Sequence, residues 1–269
     1  MNTNPSKSTL KGKSPLAFLL LAMAIYVPFV VNANVNTFVF GAFIPVTTAL
    51  ILVYWENGTA GVAELLRRSF DYKRIKSGIW YLPILLLYPG IVLMQYGLAI
   101  LSGAAPPLPQ FSFWTPIGFA IIFVAALGEE LGWMGYAYEP MQERLGALKA
   151  SLTLGVIWVS VHIPLYVMSG ASHYWIVWDC IFVVMTRVLF VWIYNNTGRS
   201  IFAVALLHTM FNFVWQVIPP GNMVLIPLYN PGNLAVITIV LAAMVTFLWG
   251  SKTLTQYRFA PSSQLSVKK

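Results

Sequence analysis

Eight long apolar runs separated by short polar breaks constrain this chain more than any other feature. They cover Leu16 to Val31, Phe38 to Trp55, Ile79 to Leu101, Phe113 to Tyr138, Leu152 to Met168, Tyr174 to Tyr194, Ile201 to Ile218, and Leu234 to Trp249. A bilayer crossing takes about 20 predominantly apolar residues as a helix. Only 9% of the 269 residues are charged and the mean hydropathy is +0.74. A soluble domain carries about 25% charged residues, so this chain lacks the polar surface to cover a globule. The single cysteine, Cys180, excludes a disulfide scaffold. The expected fold is an all-α polytopic helical bundle of about eight transmembrane helices, a single membrane domain over residues 1–269.

The net charge of +8 alone would suggest a nucleic-acid partner. Its distribution argues against one. Lys7, Lys11 and Lys13 lie in the N-terminal tail, and Arg67, Arg68, Lys73, Arg74 and Lys76 in the second loop. Arg144 and Lys149 fall in the fourth loop, Arg199 in the sixth, and Lys252, Arg258, Lys268 and Lys269 in the C-terminal tail. The first, third, fifth and seventh loops hold no Lys or Arg. This alternation fits the positive-inside bias with an even number of spans and both termini cytoplasmic, and the partner it implies is the lipid bilayer. Val31-Asn32-Ala33 resembles a signal-peptidase site, but the preceding run exceeds a usual signal core and is read as a retained span. Ala60 to Phe70 is expected to form a short amphipathic segment at the interface, with Arg67 and Arg68 drawn to anionic lipid.

Ionisable side chains at mid-membrane cost about 2.5 to 3.5 kcal/mol each on insertion scales and so mark function. The spans contain Glu129, Glu130, His162, Asp179, Arg187 and His208, with Asn212 one turn beyond His208. At 1.5 Å per residue, Glu129 lies about 13 Å from the basic end of its span, His162 about 15 Å, His208 about 10 Å and Asn212 about 16 Å. A carboxylate, two imidazoles and an amide from three helices thus share one layer, whereas Asp179, about 22 Å in, falls outside it. Trp158 and His162 are four apart and share a helix face, as do His208 and Asn212. Glu129 and Glu130 diverge by about 100° around their helix, so one can face a reaction centre while the other makes a structural contact.

This set suits hydrolysis. A desolvated Glu can take a proton from water, His can orient that water, and His and Asn donors can stabilise a developing oxyanion. Glu129, His162 and His208 would equally serve as zinc ligands in a His₂Glu site. A transporter built on the same charges, or a binding scaffold without catalysis, also remains open, although no inverted repeat is visible.

Glu129-Glu130-Leu131-Gly132-Trp133, then Trp158-x-x-x-His162, then His208-x-x-x-Asn212 resemble the three motifs of the CPBP intramembrane protease family. That family includes the type II CAAX prenyl endopeptidases and the bacterial Abi and bacteriocin self-immunity proteins. The similarity spans about residues 113–217. It implies an eight-helix bundle in a bacterial or archaeal cell membrane that cleaves a hydrophobic or lipidated peptide near its membrane-proximal end. Glu129 would be the general base, His162 would help hold the water, and His208 and Asn212 would form the oxyanion hole. The resemblance implies a glutamate-based site needing no cofactor, with zinc, as a metalloprotease, the alternative. One position departs from it: the first motif reads EExxxR, and Met134 stands where the Arg would be. Arg187, at about 10 Å depth against about 12 Å for Glu130, is the expected replacement partner.

Overall fold

The computed structural model describes residues 14–31, 39–219 and 228–259. Lys7, Lys11, Lys13, Lys268, Lys269 and the Asn32-Ala33 part of the signal-like site lie outside them. The described residues form helices and no strand: α1 Pro15–Val31, α2 Ile44–Arg67, α3 Tyr81–Leu101, α4 Thr115–Gly132, α5 Glu139–Leu145, α6 Ala147–Ser160, α7 Ile163–Met168, α8 His173–Asn196, α9 Ile201–Gln216 and α10 Pro231–Trp249. Among the described residues, six helical stretches are long and apolar enough to cross a membrane: 40–70, 78–101, 115–145, 147–168, 173–196 and 231–249. The chain is an integral, multi-pass membrane protein. The first and seventh runs form shorter apolar helices, Pro15–Pro28 and Ile201–Gln216. Helix α9 packs on α3, α4 and α8, so its neighbours, rather than lipid, cover most of its surface.

Three boundaries differ from those read in the sequence, each for a local reason. The second run does not stop at Trp55. Helix α2 continues to Arg67 across a break at Gly58, whose φ of 63° and ψ of −161° suit glycine and no bulky side chain. The fourth run likewise passes the polar residues after Tyr138 without unwinding. Trp133–Tyr138 form a π-turn that leads directly into α5, and only Gly146, at φ 78°, separates α5 from α6. The fifth run is interrupted where Pro164 lacks a backbone donor and its ring excludes the carbonyl four residues earlier. Helix α6 therefore ends at Ser160, and His162 stands just before the separate short α7.

The loops carrying Lys and Arg converge on one end of the bundle. Arg68 is not the lipid-facing cation expected from the sequence; it is buried and donates to Tyr194 Oη at 2.8 Å and to the Arg199 carbonyl at 3.0 Å. Tyr194 in turn donates to Glu139 at 2.5 Å. Asp71 accepts from Ser200 Oγ at 2.7 Å and from the backbone N–H of Phe202 at 3.1 Å, capping α9 across a loop. Ala147 N–H donates to the Lys252 carbonyl at 2.8 Å, tying the segment after α10 to the start of α6. These bonds make a rigid basic end. Gln95, donating to the Leu228 carbonyl at 3.0 Å, closes the other.

The position of α4 is set by small residues. Gly128 and Gly132, four apart, face the start of α2, and a Cβ on Gly132 would lie 2.4 Å from the Pro45 carbonyl. Small-xxx-small spacing of this kind lets helix backbones approach closely in a membrane. Gly132→Ala is expected to destabilise the fold by about 1–3 kcal/mol or more through overpacking. Gly97→Ala, whose Cβ would meet nothing within 4 Å, is expected to be tolerated. Thermal unfolding in detergent, followed by tryptophan fluorescence, distinguishes the two.

Candidate active site

Helical geometry points the two glutamates of α4 in different directions, and the close seating of α4 on α2 limits how the helix can rotate. Glu130 points inward between α8 and α9 and is fully buried. Arg187 of α8 donates through Nη1 to both of its oxygens, at 3.0 and 2.8 Å. His208 Nδ1 of α9 lies 2.9 Å from the same carboxylate. Three helices meet at one carboxylate, and the cation sits on a different helix from the motif position, where Met134 is buried in the π-turn.

Glu129 faces a cavity of about 270 Å³, whose lining includes His162, Asn212, Tyr26 and Gln216. Ile121, Ile122, Ala125 and Val161 supply apolar wall. Of the expected site residues, Glu129, His162 and Asn212 therefore share one enclosure. His208 does not line it; its ring is buried against Trp158, Phe190 and Phe211, with centroids 5.3, 5.3 and 6.1 Å away.

Trp158 joins the two halves. Its Nε1–H donates to Glu129 Oε2 at 2.7 Å, and its backbone carbonyl lies 2.9 Å from His162 Nδ1. Its ring carries the Arg187 guanidinium 4.0 Å from the centroid, a contact that favours a desolvated cation. A carbonyl only accepts, so His162 Nδ1 bears the proton, and in the neutral ring Nε2 bears the lone pair. By the same reasoning His208 Nδ1–H donates to the Glu130 carboxylate, which Arg187 also pairs. A neutral His208 would then present Nε2 as an acceptor, and only the imidazolium would donate on both sides.

Several residues escaped the sequence reading. Tyr26 donates to the Gly41 carbonyl at 3.0 Å and forms part of the cavity wall, and nothing in the first apolar run distinguishes it from its neighbours. Gln216 was legible, since it continues the four-residue stripe of His208 and Asn212. Tyr166 extends the stripe of Trp158 and His162, and it hydrogen-bonds Asp179. Asp179 also accepts from Tyr229, so this outlying acid anchors the α7 end of the bundle.

Among the described residues, no three His, Cys, Asp or Glu side chains are grouped to hold a metal ion. Glu129, His162 and His208 as placed do not form the ligand set considered from the sequence: the His208 nitrogen nearest a carboxylate is engaged by Glu130, and its ring is outside the cavity.

Removing one member of the buried ion pair strands the other in a low-dielectric interior, which costs about 3–5 kcal/mol. Arg187→Met is therefore expected to lower thermal stability sharply. Arg187→Met combined with Glu130→Leu, which removes both charges, is expected to recover part of the loss. Unfolding midpoints of the single and double variants check this.

Two comparisons with known proteins bear on this site. Residues 111–214 match the family model described as type II CAAX prenyl endopeptidase Rce1-like. The matched segment contains Glu129, Glu130, Trp158, His162, Arg187, His208 and Asn212. The chain is also 26% identical over 189 residues, 64% of its own length and 68% of the relative's, to "CAAX prenyl protease 2" of Methanococcus maripaludis. Over residues 111–214, the segment that carries the three motifs, this chain is similar to the Rce1-like type II CAAX prenyl endopeptidases.

Proposed function

We propose that this protein is an intramembrane endopeptidase that hydrolyses a peptide bond in a membrane-associated, hydrophobic or prenylated CAAX-type peptide, with the basic end facing the cytoplasm. The observation that carries this reading is the enclosure of Glu129, His162 and Asn212 in one partly apolar cavity. The name of the archaeal relative supports the substrate class.

The chemistry follows from which atoms accept and which donate. Glu129 Oε2 is engaged by Trp158, leaving Oε1 to accept from a water; the His162 lone pair accepts that water's other proton. A water holding both protons toward acceptors turns its own lone pairs outward, toward a substrate carbonyl. Glu129 removes a proton as the carbon–oxygen bond forms, and the leaving amine later takes a proton from Glu129. Asn212 donates to the developing oxyanion from the same cavity wall. His208, whose Nδ1 is held by Glu130, could add a second donor only through a protonated Nε2. In this scheme Glu130, Arg187 and Trp158 position the reacting groups, and no step runs through a metal.

Glu129→Gln is expected to lower cleavage by roughly 10²- to 10⁴-fold while leaving the fold intact. The assay is release of the C-terminal fragment from a farnesylated CAAX peptide by protein in liposomes. Full activity in Glu129→Gln would rule out its role as base, and loss of activity to a zinc chelator would replace the water scheme with a metal-bound one. Trp158→Phe keeps the ring but removes the donor to Glu129, a charge-assisted bond worth about 1.5–3 kcal/mol. That variant is expected to lose roughly ten- to hundredfold in kcat, beyond what its lowered unfolding temperature accounts for at the assay temperature.

A further inference from the structure

The basic end holds a second pair of connected hollows, and none of their residues lines the acidic cavity. The first, of about 490 Å³, lies between α5, the start of α6 and the turn after α10. Arg144, Lys149 and Lys252 face it, with Glu143 as the only acid among its lining residues. The second, of about 620 Å³, continues from it along the apolar surfaces of α6, α8 and α10, past Leu152, Met185, Val188, Ile239 and Phe247. Leu148 and Ser251 belong to both walls. Arg258 stands at the edge of the apolar hollow, its guanidinium 4.1 Å from the Phe247 ring centroid.

This site is built and braced. The turn after α10 is held by Ala147 N–H to the Lys252 carbonyl at 2.8 Å, by Leu148 N–H to the Ser251 carbonyl at 3.0 Å, and by Asn195 Nδ2 to the Thr253 carbonyl at 2.9 Å. Arg258 N–H pairs with the Leu248 carbonyl at 2.7 Å, folding the chain back against the end of α10. Among the described residues, Arg144, Lys149, Lys252 and Arg258 form no ion pair. Three cations around one polar hollow, opening into an apolar groove that runs down the helices, match an anionic headgroup at the membrane surface with a hydrocarbon tail beneath it.

We propose that this composite groove binds an anionic phospholipid, its phosphate held by Arg144, Lys149 and Lys252 and one tail lying between α6, α8 and α10. The excess of positive charge selects against zwitterionic lipid, and the apolar arm selects against free phosphate. Each basic residue near an anionic headgroup contributes about 1 kcal/mol, so loss of all three is expected to weaken binding by about a hundredfold.

The test uses the full chain in detergent micelles, with lipid binding read by native mass spectrometry and by the shift in unfolding temperature. Phosphatidylglycerol is expected to bind and stabilise the wild type, while phosphatidylcholine and inorganic phosphate do not. The Arg144→Gln/Lys149→Gln/Lys252→Gln variant, altered only at exposed positions, is expected to need about a hundredfold more phosphatidylglycerol for the same shift. Ala243→Phe, which fills the apolar arm, is expected to weaken binding without touching a charge. Equal stabilisation by phosphatidylcholine, an unchanged affinity in the triple variant, or a full response to inorganic phosphate alone would overturn the proposal.

Discussion

The ion pair between Glu130 and Arg187 is the interaction on which the rest of this structure depends. Two fully buried charges are expensive unless they meet at hydrogen-bonding distance, and here they do so at 2.8 Å between α4 and α8. His208 brings α9 to the same carboxylate. Satisfying one acid therefore orients three helices about their axes. Once Glu130 faces inward, its neighbour Glu129 is turned about 100° away by helical geometry, and the cavity opens on that face. The two glutamates do different work because of this rotation, not because of their chemistry, which is identical.

Trp158 carries that order into the cavity. The guanidinium of the ion pair lies over its ring, while its Nε1–H holds Glu129 and its carbonyl holds His162. One residue thus fixes the acid through its indole and the tautomer of the neighbouring imidazole through its backbone carbonyl. The break at Pro164 serves the same end. If α6 ran on as a regular helix, the Trp158 carbonyl would be engaged by the backbone N–H of His162, four residues later, but at the break that N–H turns to the Val159 carbonyl at 2.9 Å. His162 Nδ1 takes the acceptor that the break leaves open.

The basic end illustrates how topology confines charge. Arg68, Glu139, Tyr194 and Asp71 knit together loops distant in sequence and cap α9. Arg68 is consumed by that network, whereas Arg144, Lys149, Lys252 and Arg258 remain on the surface around the second groove. Cations that look equivalent along the chain are divided by folding into structural and ligand-facing sets.

Much of this was determined by the sequence alone. Apolar runs of bilayer length dictate helices, because a backbone in hydrocarbon must satisfy its own hydrogen bonds. The stripes of Trp158 with His162 and of His208 with Asn212 follow from the helical repeat, and the rarity of ionisable groups within the spans singles out the site residues. Tertiary structure decided what depth and periodicity leave open, namely the rotation of each helix about its axis. Depth places His208 level with both glutamates, but rotation turns it to Glu130 and keeps it out of the cavity. Rotation likewise brings Tyr26 to the cavity wall from a run with no polar pattern to mark it. That angle is set by contacts between segments far apart in the chain, such as Gly132 against Pro45 and Glu130 against Arg187, and no local periodicity encodes it.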